Sequence, residues 1–184
     1  AIVLLMATAT LSTGCLGLVL QRDIMEDMRE PPETILRDHA IGFDHTFTST
    51  GLDSTDYYNE SSIQIDSSVQ SMSISFRAQM PLSETFESLI GNETNLIRYV
   101  DAKLWSPGSK SAGSEPFWEI RVTQDHSLER WDYTGMNFQE GIWILEVDAR
   151  GYGWDPGIEQ LTAKDHFDVF VTITKPCIRF VEIN

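Results

Sequence analysis

The sequence predicts an all-β domain, an antiparallel β-sandwich or jelly roll, preceded by an apolar N-terminal α-helix. Three observations support this fold class. Several short segments alternate between apolar and polar side chains, turn residues separate these segments, and no amphipathic helix lies between them. Strands that follow one another through short turns pair antiparallel, because parallel strands need long crossover connections. A body of about seven to nine such strands suits two packed sheets.

Six segments show the alternation of a strand with one buried and one solvated face most clearly. In Val69–Met80, for example, Met72, Ile74 and Phe76 alternate with serines. The other five segments are Ile97–Trp105, Phe117–Thr123, Ile142–Ala149, Phe167–Thr174 and Cys177–Ile183. Two weaker candidates are Ile41–Thr48 and Ser62–Asp66.

The N-terminal residues 1–20, AIVLLMATATLSTGCLGLVL, contain no charged side chain. As a helix they would reach about 30 Å, the thickness of the hydrocarbon core of a bilayer. We therefore expect residues 1–20 to be an apolar membrane anchor, a signal sequence or a filament helix. Residues 21–39 are predicted to form a short helix, ended by Pro31-Pro32, and a stalk. Residues 40–184 then form the sandwich domain.

Within the apolar segment, Leu11-Ser12-Thr13-Gly14-Cys15 resembles the lipobox of secreted lipoproteins. In that motif a signal peptide is cut before a cysteine that then carries the lipid. The resemblance implies lipid attachment at Cys15 and an extracytoplasmic, membrane-anchored protein at the cell surface. Two alternatives give the same topology. One is a plain transmembrane or uncleaved-signal anchor, and the other is an archaeal pilin-like subunit whose apolar helix packs into a filament core.

The charge of the chain excludes some partners. There are 28 acidic and 13 basic side chains, which give a formal net charge of −15. This excess argues against nucleic acid as a partner, because a phosphate backbone would be repelled. It also argues against docking on anionic lipid through a basic patch. The two cysteines, Cys15 and Cys177, are too few for a disulfide framework and lack the spacing of a zinc site.

Two motifs in the body resemble segments of the P-domains that follow subtilisin-type proteases. The strand GIWILEVD at 141–148 has glycine followed by tryptophan, leucine and valine at alternate positions, and Leu104-Trp105-Ser106-Pro107-Gly108 is similar to a strand end and turn of the same domains. The resemblance covers roughly Val69 to Ile173. It implies a jelly-roll accessory module without catalysis of its own, sometimes binding calcium.

Carboxylates and glycines cluster before the last strands. Calcium takes six to eight oxygen ligands, and glycines let backbone carbonyls turn toward an ion. If the chain binds a metal, we expect calcium at Asp155, Glu159, Asp165 and Asp168. The alternative acidic group is Asp53, Asp56, Glu60 and Asp66. We expect no other cofactor.

The histidines do not by themselves indicate a site. All four follow an aspartate, in the pairs Asp38-His39, Asp44-His45, Asp125-His126 and Asp165-His166. Neighbouring residues of a strand point to opposite faces, so a pair of this kind does not form a metal site alone. The sequence has no Gly-x-Ser-x-Gly motif and no recognisable nucleophile–base pair. We therefore expect no enzyme activity.

Loop aromatics and glycosylation motifs favour a binding role. Trp131, Tyr133, Tyr152 and Trp154 fall in or near predicted loops, where aromatic rings suit stacking on sugars or anchoring a protein. The sequons at Asn59 and Asn92 are compatible with glycosylation of an outward-facing domain.

The function predicted from these features is a non-enzymatic, membrane-tethered β-sandwich module for binding, adhesion or envelope structure. Its expected partners are the membrane, through the N-terminal segment, and a cell-surface protein or glycan or further copies of the chain. The alternative is the pilin-like filament subunit.

Overall fold

The computed structural model describes residues 18–27, 31–48, 54–81, 97–154 and 163–180. The chain divides into two compact units. One comprises Ala1–Ile35 and Cys177–Asn184, and the other is Leu36–Pro176. The first contains helix α1, residues 18–27, and the second contains the core of the β structure.

Ten strands lie within the described residues. The longer ones are β1 (Glu33–Thr46), β2 (Thr55–Ile65), β3 (Ser71–Gln79), β4 (Tyr99–Trp105), β5 (Trp118–Val122), β6 (His126–Thr134), β7 (Gly141–Gly151) and β10 (His166–Arg179). Strands β8 (Gly153–Trp154) and β9 (Ala163–Lys164) form a small ribbon, and a single helical turn, α2 (Ser109–Ala112), follows β4.

The longer strands form two four-stranded sheets. The first sheet has the order β1-β10-β3-β6, and the second has the order β2-β7-β4-β5. Pairing is antiparallel between β3 and both β10 and β6, and between β7 and both β2 and β4. The predicted all-β body of two antiparallel sheets, consistent with a β-sandwich, is confirmed.

Alternate side chains of both sheets form one hydrophobic core. The first sheet contributes Met72, Ile74, Phe76 and Ala78 from β3 and Phe167, Val169, Val171 and Ile173 from β10. The second sheet contributes Ile63, Ile65, Val100, Ala102, Leu104, Trp118, Trp143, Leu145, Val147 and Ala149. Full burial of one large apolar side chain stabilises the fold by about 1.5–3 kcal/mol. The period of two in the sequence is therefore the pattern that builds this core.

Aromatic rings of β5 and β6 meet at one edge of the core. Trp118 packs against Trp131 with ring centroids 5.2 Å apart, and Phe117 packs against Tyr133 at 5.0 Å. The placement of Trp131 and Tyr133 in binding loops is therefore wrong, because both lie half-buried in β6. The sequence hid this strand because β6 is an edge strand with few inward apolar side chains.

The ends of the outermost strands also differ from the prediction. Strand β1 begins at Glu33, within the residues assigned to the stalk. The first of the two segments predicted on either side of Pro176 and the start of the second, Cys177 to Arg179, form one strand, β10. Proline is tolerated there because the pairing of β10 with β3 ends at Thr174, so no hydrogen bond to β3 is lost.

Gly141, the first residue of the GIWILEVD motif, has a positive φ angle. Its φ angle is 134°, in a region that side chains rarely allow. A Cβ atom at this position would lie 3.0 Å from Cγ of Pro107. The glycine thus lets the start of β7 pass close to the Ser-Pro-Gly turn.

Most of the predicted anchor lies outside the described residues, including Cys15. Its last residues begin helix α1, where Leu18, Leu20, Ile24 and Met25 are exposed. Among the described residues, no helix combines the length and apolar composition needed to cross a bilayer.

A buried ion pair closes one end of the second unit. The side chains of Arg98 and Asp165 are only 1% and 2% exposed. Nε of Arg98 donates to Oδ2 of Asp165 at 2.8 Å, and its Nη2 donates to Oδ1 and to the carbonyl oxygen of Pro81. The Tyr152 N–H also donates to Oδ2 of Asp165 at 2.9 Å. The carboxylate is therefore enclosed by donors.

The outer face of the second sheet carries charges that neutralise one another. Lys110 pairs with Glu60 of β2 and, at 3.1 Å, with Glu146 of β7. Nε1 of Trp105 donates to Glu146 at 2.7 Å. Hydrogen bonds from Lys110 and then Tyr58 hold the pKa of Glu60 below its usual value of 4.5.

We expect Arg98→Met to lower the free energy of unfolding by about 3–5 kcal/mol, because it leaves a buried carboxylate without its charged partner. Arg130→Met is the matched control, since Arg130 pairs with Asp132 at the surface. Such exposed pairs contribute about 1 kcal/mol or less. Urea unfolding measures both variants, and equal losses would contradict the importance of the buried pair.

We expect the stability of the wild type to fall more steeply with acid than that of Lys110→Met. A carboxylate whose pKa is lowered by folding stabilises the folded state at pH values above its pKa in the unfolded chain. This stabilisation is lost as the pH falls through the pKa of the folded state. Unfolding experiments between about pH 6 and pH 3 measure the difference. Adding Glu60→Gln to Lys110→Met should change the pH dependence of the free energy of unfolding little further. A large further change would contradict the assignment of the acid sensitivity to the pair of Glu60 and Lys110.

Candidate functional site on the outer face of the first sheet

One end of the first sheet presents polar side chains to solvent, and we refer to it as the polar end. It consists of Asp44 and Thr46 of β1, Arg77 and Gln79 of β3, and His166 and Asp168 of β10. Inward residues of the same strands, such as Phe76 and Phe167, are buried in the core. Because strand neighbours point to opposite faces, the polar residues between them point outward.

Strand register brings these residues together. Asp168 lies opposite Arg77, and His166 lies opposite Gln79. On the other side of β10, Thr46 contacts His166, and farther along the same strands Thr174 donates to Asp38 at 2.6 Å. The site therefore spans three adjacent strands whose residues are distant in sequence.

Arg77 and Asp168 form a bidentate ion pair. Nε of Arg77 donates to Oδ2 at 2.7 Å, and Nη2 donates to Oδ1 at 3.1 Å. These hydrogen bonds raise the pKa of Arg77. The geometry fixes the orientation of the carboxylate, as paired N–H groups do for planar carboxylates.

His166 lies between two carboxylates and a hydroxyl. Its Nδ1 is 2.9 Å from Oγ1 of Thr46 and 3.9 Å from Oδ1 of Asp44, and its Nε2 is 3.5 Å from Oδ2 of Asp168. The His166 and Asp168 side chains are each 18% exposed, whereas Asp44 is 62% exposed. One donor atom from each of Asp44, His166 and Asp168 lies within 4.8 Å of the others.

His45 occupies the opposite face of β1 and has a different role. Its ring lies against Tyr57 with centroids 4.2 Å apart and against Phe47 at 4.8 Å. Burial lowers the pKa of His45, the electrostatic interaction with His166 lowers it further, and Asp44 opposes both effects. His45 is therefore a packing residue of the sandwich, although it is the sequence neighbour of Asp44.

A groove of about 530 Å³ adjoins the polar end. It is lined by Arg77, Ala78, Gln79, Pro81, Asp125, His126, Ser127 and Lys164. Asp125 accepts the N–H of Met80, and the ring of His126 lies 5.5 Å from that of Phe76. Nε2 of His126 is 3.1 Å from Oε2 of Glu129. Three basic residue types thus converge in one groove of an acidic chain.

The structure describes two of the four carboxylates predicted to bind calcium, Asp165 and Asp168. Asp165 is enclosed by Arg98 and the Tyr152 N–H, and Asp168 pairs with Arg77 on the outer face. Asp155 and Glu159 lie outside the described residues. The two described members therefore have protein partners of their own and point to different surroundings.

The remaining predicted site residues occupy varied positions. Tyr152 is half-buried between β7 and β8, and Trp154 belongs to β8. Asn59 is exposed, but it lies in strand β2, and its side chain accepts the N–H of Glu60 at 2.9 Å. Asn92 lies outside the described residues. The free Cys177 is partly exposed rather than buried.

Sequence reasoning missed the grouping of Asp44, Thr46, Arg77 and His166. Asp44 and His166 each belong to an Asp-His pair of the sequence, but the two side chains of each pair point to opposite faces of the sheet. The sequence signal that could have placed these residues on the outer face is their alternation with inward-pointing apolar residues in each strand. The register that joins the strands has no local sequence signature.

A hydroxyl, an imidazole and a carboxylate do meet at the polar end, in Thr46, His166 and Asp168. Acyl transfer would also need donors aimed at a developing oxyanion. These three residues lie within strands β1 and β10 rather than at a turn. The arrangement therefore lacks a strained turn of the kind that exposes a catalytic hydroxyl.

No protein-family model matches the chain, and no curated protein matches it significantly in sequence. Solved structures with distant similarity include the periplasmic g-type lysozyme inhibitor PliG of Aeromonas hydrophila. It is 10% identical with a TM-score of 0.32, and the match covers 73% of this chain and 86% of that chain. A chain of Desmodium yellow mottle tymovirus is 9% identical with a TM-score of 0.30, covering 84% and 93%. A chain of Turnip yellow mosaic virus is 12% identical with a TM-score of 0.31, covering 84% and 99%. The resemblance to P-domains is not confirmed.

Proposed function

We propose that this chain is a non-enzymatic binding module held at the outer side of a membrane. In this proposal a jelly-roll sandwich presents its polar groove to an acidic glycan of a cell surface. The groove is the observation that carries the proposal.

The order of the strands supports the jelly roll. Successive long strands alternate between the two sheets, except β4 and β5, which pair directly in the second sheet. Eight strands wound in this way make the two four-stranded sheets of a jelly roll. Such a fold leaves its outer faces free for binding, because the inner faces form the core.

The charge of the groove favours an acidic ligand. Arg77, His126 and Lys164 line it together with the neutral Gln79 and Ser127 and with one carboxylate, Asp125, which accepts the N–H of Met80. The chain as a whole has only 13 basic side chains against 28 acidic ones, so this local concentration departs from the average surface. Charge-assisted hydrogen bonds are the strong ones, and a volume of this size suits a small ligand. Gln79 and Ser127 supply the neutral donors that sugar hydroxyls require.

The N-terminal segment supports the tether. Residues 1–20 carry no charge, and the apolar side chains of α1 remain exposed. Exposure of apolar groups to water costs free energy in proportion to the exposed area, so these side chains favour a lipid environment. Lipid attachment at Cys15 is the form of tether that we propose.

We expect the full chain, purified in mild detergent, to bind acidic oligosaccharides on a glycan array more strongly than neutral ones. Lys164→Met should weaken this binding about tenfold, the equivalent of one lost charge-assisted hydrogen bond. Lys103→Met is the matched control, because Lys103 pairs with Asp101 in the second sheet.

Salt provides a second readout, since charge-driven binding weakens with ionic strength. Equal binding of neutral and acidic sugars would contradict the proposal. A loss in Lys103→Met as large as that in Lys164→Met would contradict it as well.

We expect the native protein to fractionate with membranes and to carry a lipid-sized mass increment on Cys15. Cys15→Ser should remove the increment and release the chain from the membrane. Intact-mass measurement and cell fractionation test this expectation. An unmodified Cys15 in a membrane-bound protein would contradict lipid attachment and favour a plain apolar anchor.

The exposed apolar side chains of α1 also favour a second candidate, the filament subunit. In that arrangement Leu18, Leu20, Ile24 and Met25 would contact the same helix of neighbouring copies. Electron micrographs of native material separate the two candidates. Filaments whose assembly is lost in Ile24→Asp would favour the subunit, and dispersed membrane-bound protein would favour the tethered module.

A further inference from the structure

We propose that Asp44, His166 and Asp168 form a binding site for a divalent transition-metal ion of the zinc type. This site goes beyond the proposed glycan groove. Asp44 and His166 do not line that groove, although Arg77, which holds Asp168, does. The three residues belong to β1 and β10, adjacent strands of the first sheet.

The distance between His166 and Asp168 fits two ligands of one ion. Nε2 of His166 is 3.5 Å from Oδ2 of Asp168, which is longer than an N–H···O hydrogen bond of ordinary geometry. Two zinc ligands with bonds of about 2.1 Å at a tetrahedral angle lie about 3.4 Å apart. An ion between the two atoms therefore satisfies both without moving either strand.

The neighbours of His166 and Asp168 orient both ligands. Oγ1 of Thr46 lies 2.9 Å from Nδ1 of His166 and can accept its proton, which leaves the Nε2 lone pair directed toward Asp168. Metal-binding histidines usually have such a partner on the second ring nitrogen. Arg77 holds both oxygens of Asp168, and Oδ2 retains a lone pair for an ion.

Asp44 completes the set from the solvent side. Its Oδ1 lies 3.9 Å from Nδ1 of His166, so binding an ion at Nε2 requires rotation of the exposed Asp44 side chain. Three protein ligands leave one tetrahedral position for water or for a group of a bound partner.

The donor types select the class of metal. One imidazole nitrogen with two carboxylates suits zinc and related ions, whereas calcium requires six to eight oxygens. The positive charge of Arg77 opposes a cation beside Asp168. That repulsion weakens binding, whereas the hydrogen bonds of Arg77 orient the carboxylate, so the variants that test the site leave Arg77 unchanged.

Isothermal titration of the full chain with zinc chloride in mild detergent tests the site. We expect the wild type to bind zinc, and His166→Gln and Asp44→Asn each to weaken binding at least about tenfold, the loss of one ligand. The matched control is His126→Gln, because His126 lies in the same sheet beside a single carboxylate, Glu129. It should bind zinc as the wild type does.

Nitrogen chemical shifts of the imidazoles provide a readout that does not depend on a variant. Zinc should shift Nε2 of His166 more than any ring nitrogen of His126. Absence of zinc binding by the wild type, an unshifted His166, or an equal loss in His126→Gln would overturn the site. Thermal unfolding of each variant verifies its fold.

The two proposals fail in different experiments. Asp44→Asn should weaken zinc binding and leave acidic-glycan binding unchanged, since Asp44 is not part of the groove. Loss of glycan binding in Asp44→Asn would show that the two sites are not independent.

Discussion

The buried ion pair between Arg98 and Asp165 is the constraint on which the functional face depends. Asp165 immediately precedes β10, and its carboxylate, its N–H and its carbonyl are all hydrogen-bonded. The carbonyl oxygen of Asp165 accepts a hydrogen bond from the N–H of Phe47 at 2.8 Å. The N–H of Asp165 donates to the carbonyl oxygen of Tyr152, also at 2.8 Å. One residue thus joins the end of β1, the chain after β7 and the residue before β4. An unpaired charge here would be costly, so these elements are held together as a set.

This constraint sets the parity of the strand that follows. With Asp165 buried, His166 points outward and Phe167 points into the core. The same alternation then places Asp168 outward, opposite Arg77. Packing and site chemistry are therefore carried by alternate residues of one strand, and a register shift of one residue would exchange them.

The strands that were predicted correctly are those in which apolar and polar side chains alternate most clearly. Strands β3, β4, β5 and β7 bury one face and showed the period of two clearly. Strand β6 did not, because few of its inward side chains are apolar, and its aromatic residues suggested loops. The two described members of the predicted calcium group have different surroundings for a related reason. Asp165 and Asp168 are close in sequence, yet burial of one and exposure of the other give them separate partners.

The sequence by itself determined the all-β class, most strands of the body and the uncharged character of residues 1–20, because these depend on local periodicity and composition. The tertiary structure alone decided which outward residues become neighbours. Asp44 and His166 belong to different Asp-His pairs, and Arg77 lies far from Asp168 in the chain. Only the pairing of β1 and β3 on either side of β10 brings them together. That order follows from closing two sheets around one core, and no local pattern encodes it.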